Sequence, residues 1–206
     1  MFMGRTAMSK HFNNRNLRGI FLLTGIITWH WSAPCLSAEE GMDITFNANI
    51  VENTCQISVP DGGQVHLPTV GKSWFYNDDG SSRLAPTDAA SGTLFSVKID
   101  SCAAASDVKK LKFTFQPQSQ QWPDVSRQVF INESSPAEGG AENTGIVIFS
   151  KDLNTNVLNT DGTSSVELKA KSSWATEYEF YARLQNTGTV SAGKVTSHVV
   201  VNATYE

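Results

Sequence analysis

The residues that usually carry chemistry are scarce in this 206-residue chain. It holds three cysteines and four histidines, with no Cys-x-x-Cys and no His-Glu-x-x-His, so the familiar zinc and redox layouts are missing. There is also no Gly-x-Ser-x-Gly elbow and no phosphate loop, which removes common routes to acyl transfer and nucleotide binding. Asn77-Asp78-Asp79-Gly80 has calcium-like side chains but lacks the later bidentate glutamate of an EF-hand loop, and it reads as a turn. His66 and His198 sit in no metal spacing and read as surface or edge histidines. No enzyme, cofactor or metal site is expected. Charged residues make up only 17% of the chain, without a run long enough for a disordered tail.

Long apolar runs are few as well. The longest, Gly19 to Trp29, follows an acid-free start carrying Arg5, Lys10, Arg15 and Arg18. That is the layout of a signal peptide, too short to span a bilayer comfortably, with Ser37-Ala38 as a cleavage site before Glu39. Cys35 follows a proline instead of the small residue of a lipoprotein signal, and it leaves with the leader; Met3 and Met8 are alternative starts. Removing residues 1–38 takes four basic and no acidic residues from totals of 16 and 20. This leaves 12 Lys and Arg against 20 Asp and Glu, a net charge near −8. Nucleic acid is therefore not an expected partner. The remaining 168 residues suit one β domain. Two cysteines, Cys55 and Cys102, stay in a chain routed to an oxidising compartment, and one disulfide is expected. Closing a loop of about 48 residues removes chain entropy worth about 4 kcal/mol from the unfolded state.

What the exported part has in abundance is alternation. Phe95 to Ile99, Leu111 to Phe115 and Tyr178 to Leu184 each place apolar side chains at every second position, the period of a half-buried strand. Further strands are expected over Gln56 to Val59, Val129 to Asn132, Gly145 to Phe149, Ser165 to Leu168 and Lys194 to Tyr205. Turn residues separate them at Asp61-Gly62-Gly63, Asn77 to Gly80, Glu138-Gly139-Gly140, Asp161-Gly162 and Asn186-Thr187-Gly188. Trp74 to Ser91 and Pro117 to Val125 read as loops. With no convincing amphipathic helix, the pattern indicates an all-β sandwich.

The two ends of the exported chain differ from ordinary strands. From Met42 to Glu52 the apolar residues Met42, Ile44, Phe46, Ala48 and Ile50 alternate with polar ones. This segment is either a first strand of its own domain or a strand made for another molecule. The closing segment Gly193 to Glu206 alternates up to the penultimate Tyr205.

Taken together, the alternating extension ending at Cys55, the second cysteine closing Phe95 to Ser101, the central Gly145-Ile146-Val147-Ile148 run and the Ala192-Gly193 segment leading to Tyr205 resemble a pilin of the chaperone–usher class. The resemblance covers essentially the whole exported sequence. It implies an incomplete immunoglobulin-like sandwich over residues 55–206, with a donor-strand extension over 39–54 and an open groove beside the C-terminal strand. It also implies a periplasmic chaperone that lends a strand and grips the carboxylate end at Glu206. An outer-membrane usher then exchanges that strand for a neighbouring subunit's extension, which is β-augmentation used as polymerisation. On this sequence Met42, Ile44, Phe46, Ala48 and Ile50 would be the donated knobs. Val195, Val199, Val201, Ala203 and Tyr205 would line or border the acceptor groove. Five buried apolar side chains would contribute about 8–15 kcal/mol before ordering costs. Ala48 stands where many such subunits have glycine, and Ala203 where a larger aliphatic residue is common. The sequons at Asn132 and Asn202 read as coincidence in bacterial export.

Cell-surface fimbriae and cell adhesion are the implied setting. One alternative is a single-domain tip adhesin or invasin that stacks Trp74, Phe75, Tyr76 and Trp122 on a host receptor, a glycan or protein. Another is a self-contained periplasmic binding domain. The alternating extension favours an internal subunit, because a tip subunit has nothing beyond it to donate to.

Overall fold

The computed structural model describes residues 42–47, 55–90, 92–102, 110–169 and 177–205. The expected leader, Ala48, Ile50 and Glu206 lie outside the described residues. No α-helix occurs among the described residues. The strands are β1 (Met42–Asn47), β2 (Cys55–Ser58), β3 (Gln64–Leu67), β4 (Thr93–Cys102), β5 (Lys110–Pro117), β6 (Phe130–Ile131), β7 (Thr144–Ser150), β8 (Thr155–Asn156), β9 (Val166–Lys169), β10 (Glu177–Asn186) and β11 (Thr196–Tyr205).

They form an immunoglobulin-like sandwich. One sheet runs β3-β1-β11-β5-β9 and the other β2-β4-β10-β7-β6, with β8 paired to β7. Alternation sets which side chains fill the space between them. Leu111, Phe113 and Phe115 of β5 face Tyr178 and Phe180 of β10, and the Phe113, Phe115, Phe95 and Phe180 rings meet at centroid distances of 5.0–5.7 Å. Cys55 and Cys102 lie directly opposite each other on β2 and β4 and form the expected disulfide.

β7 is apolar without alternation because both of its faces are covered. Ile146 and Ile148 join the main core, while Val147 and Phe149 form a second cluster with Val129 and Ala89 outside the sheet. Gly145 at its start is required by space, since a Cβ there would lie 2.2 Å from the Phe130 carbonyl oxygen. The same outer cover buries Arg183, which alternation alone would send to solvent. Its guanidinium donates to the carbonyls of Ala85 (2.9 Å) and Asp88 (2.7 Å) and to Gln185 Oε1 (2.7 Å), and lies over the Phe149 ring. Burial pulls its pKa down to about 10.

Most strand expectations stand with small changes at their ends. Val129 to Asn132 shortens to Phe130–Ile131, and the closing strand begins at Thr196 instead of Lys194. The four-residue β3 and the two-residue β8 were not foreseen. Among the described residues β3 joins its sheet through β1 alone, a pairing partner that local pattern does not reveal.

Candidate functional site

The site begins with the slot between β3 and β11, and its occupant is β1. This strand runs antiparallel to β3, with Ile44 opposite Val65, and parallel to β11, with Ile44 opposite Ser197 and Phe46 opposite Val199. Both of its hydrogen-bonding edges are therefore used. In the described pairings, β1 is the only strand joining β3 to the first sheet, and without it β11 would be an edge.

Period-two geometry sends Ile44 and Phe46 inward. Ile44 is fully buried, and the Phe46 ring lies 5.0 Å from that of Phe95. The inward row is Val195, just before β11, followed by Ser197, Val199, Val201 and Ala203 of β11, all buried, with Tyr205 half-buried against the core. Four of the expected groove residues are thus core residues at the floor and flank of the slot. Ser197 is a fifth that the apolar pattern passed over. Its hydroxyl is fully buried and has no hydrogen-bond partner. Gly63, in the expected Asp61-Gly62-Gly63 turn, has φ +81° where β1 leaves β3, and a Cβ there would come 3.1 Å from the Phe46 carbonyl oxygen.

Beyond Val195 the slot continues into a pocket of about 290 Å³ whose apolar lining includes Val70, Phe75, Leu184 and Val190. On the outer face, the register sets Asp43 opposite His66 and Thr45 opposite His198. His198 Nδ1 meets the Glu133 carboxylate. Asn132 fastens the same corner: its amide donates to the carbonyls of Ala141 and Lys194, and its oxygen accepts from the Ser134 and Thr196 N–H groups.

The family described as "Fimbrial protein" matches residues 44–206. The chain belongs to the fimbrial protein family, the subunits of chaperone–usher pili. It is 32% identical over 177 residues to an uncharacterised fimbrial-like protein, YadK, of Escherichia coli K12, covering 81% of this chain and 86% of that protein. It is 27% identical over 184 residues to the major fimbrial subunit SMF-1 of Stenotrophomonas maltophilia K279a, covering 84% and 98%. Among solved structures, the CupB6 tip adhesin of Pseudomonas aeruginosa aligns at 15% identity with a TM-score of 0.40, over 52% of this chain and 31% of that one. Family membership implies a structural subunit that assembles with other fimbrial subunits on the cell surface, and such subunits are in general not enzymes.

In this fimbrial subunit the loop aromatics serve internal contacts. Phe75 is buried, with the Trp74 ring edge-on at 5.0 Å, and Arg83 covers the Trp74 face. The Tyr76 hydroxyl donates to the Gly188 carbonyl and accepts from the Val190 N–H. Trp122 is half-buried under Arg127 and lines a cleft of about 360 Å³ together with Asp124, Asn132 and Glu142. The Asn77 to Gly80 segment is a turn whose Asp79 carboxylate accepts from the Ser81 N–H and hydroxyl, bonds that hold its pKa below the usual carboxylate range.

Proposed function

We propose that this fimbrial subunit polymerises by donor-strand exchange, with β1 leaving its own slot and filling that of a neighbour. The observation that carries the reading is the position of β1: a strand at the start of the compact unit Glu39–Glu206 that, in the described pairings, alone connects β3 to β11 and buries Ile44 between them. A strand at the end of a domain can be withdrawn without unthreading the rest. The vacated slot then presents two unpaired backbone edges and an apolar row, a surface that recruits another strand.

The exchanged strand takes the opposite polarity. In its own slot β1 runs parallel to β11 and antiparallel to β3, so reversal exchanges the two ladder types and leaves the choice of polarity to the side chains that meet across the slot. Turning the segment about the Phe46–Val199 pair keeps the same side chains inward. It brings Ile44 beside Val201, Met42 beside Ala203, Ala48 beside Ser197 and Ile50 beside Val195. Donor knobs then cover β11 from one end to the other. Before that step a periplasmic chaperone lends its own strand and holds the carboxylate end at Glu206, and the outer-membrane usher directs the exchange. Adhesion is a property of the fibre so formed.

The test is thermal unfolding of the mature protein against a variant carrying a second copy of residues 41–52 after Glu206 through a flexible linker. A strand tethered there returns antiparallel to β11. A rise in melting temperature of more than about 10 °C, with loss of polymerisation, is the expected result. An unchanged melting temperature together with a monomer that never accepts a donor would refute donor-strand exchange.

A further inference from the structure

We propose that Ser197 selects the strand that occupies the slot, disfavouring a branched aliphatic residue beside it and admitting a small one. It thereby loosens the hold of the chain's own β1 and favours the same segment of a second copy in the opposite polarity. The inference rests on the donor-strand reading above.

The inward row is otherwise aliphatic, with Val195 just before β11 and Val199, Val201 and Ala203 within it. Ser197 interrupts it with a hydroxyl that is fully buried and makes no hydrogen bond. Its neighbours in the sheet are Ile44 and, across β1, Val65, exposed by 0% and 5%. Neither side chain can accept or donate a hydrogen bond. A buried hydroxyl left unpaired is costly, while the same group with a partner is nearly neutral.

Reversal about Phe46 and Val199 changes the β11 neighbour of every donor knob except Phe46, and one of those changes falls at Ser197. Ile44 moves from Ser197 to Val201, where aliphatic meets aliphatic, and Ala48 takes its place beside the hydroxyl. The smaller side chain leaves room for a bound water, the usual partner of a buried polar group. Among the inward residues of β11 that change neighbour, Ser197 alone carries a polar side chain, and it biases the choice of polarity. The favoured occupant is a strand of alternating apolar residues with a small residue two positions after its aromatic knob, as residues 42–50 provide.

The experiment uses the mature protein and fluorescent peptides of residues 41–52, either native or with Ala48→Ile, and follows peptide uptake and protein melting. Wild-type protein should take up the native peptide about tenfold faster than the Ala48→Ile peptide, the factor that corresponds to one unsatisfied hydroxyl. Ser197→Ala should melt higher, take up the native peptide about tenfold more slowly and lose the discrimination. Ser197→Thr, which keeps the hydroxyl, should retain it. Equal discrimination and equal rates in wild type and Ser197→Ala would overturn the role of Ser197 while leaving exchange intact. Failure of every variant to take up any peptide would overturn exchange itself, and this inference with it.

Discussion

Truncating Ile44 to alanine probes whether β1 is held in the slot of the unassembled subunit. Ile44 is fully buried between Val65 and Ser197, so Ile44→Ala removes three carbons' worth of apolar contact and leaves a cavity lined by both neighbouring strands. Substitutions of this kind in a closed core cost about 2–5 kcal/mol. For a domain of this size each kcal/mol moves the melting temperature by about 2–4 °C, so a fall of about 4–20 °C is expected. Thr45→Ala is the matched control, because Thr45 lies one position along on the opposite, half-exposed face; it should change stability by less than about 0.5 kcal/mol. Urea unfolding of the two variants and the parent, with fitted slopes compared, gives the numbers directly. A loss below about 1 kcal/mol for Ile44→Ala, no larger than for Thr45→Ala, would refute the seating of β1 in its own slot. Ile44 stays inward after strand reversal, so the same variant should also weaken assembled fibres.

Two other perturbations test the frame around the slot. Arg183→Met should cost about 2–4 kcal/mol and open residues 84–90 to proteolysis, because the Ala85 and Asp88 carbonyls lose their buried donor; limited digestion checks it, and an uncut loop would refute the anchoring role. The Asp161 carboxylate accepts from the Thr163 N–H (2.9 Å) and hydroxyl (2.6 Å), which lowers its pKa. A carboxyl whose folded pKa is depressed stabilises the protein above its unfolded pKa, about 4, and loses that contribution as pH falls through the folded value. Asp161→Asn keeps an acceptor oxygen without the titration, so melting temperatures of variant and parent should converge below about pH 4.

What local sequence determined here is what depends on short-range periodicity. Residues 95–99, 111–115 and 178–184 alternate, and backbone pleating turns that alternation directly into one buried and one exposed face. The two cysteines retained after the expected leader pair as their number and compartment require, and the apolar ends at Met42 to Ile50 and Val195 to Tyr205 stand out as unusual strands. Tertiary structure decided everything that depends on which strand lies beside which. β3 is a strand because β1 reaches it, and Arg183 is a core residue because residues 84–90 fold over the outer face of β10. Ser197 reads as one small polar residue in a strand. It becomes a buried, unpaired hydroxyl only once Ile44, from the far end of the chain, is set against it, a neighbour about 150 residues away in sequence that no local pattern encodes.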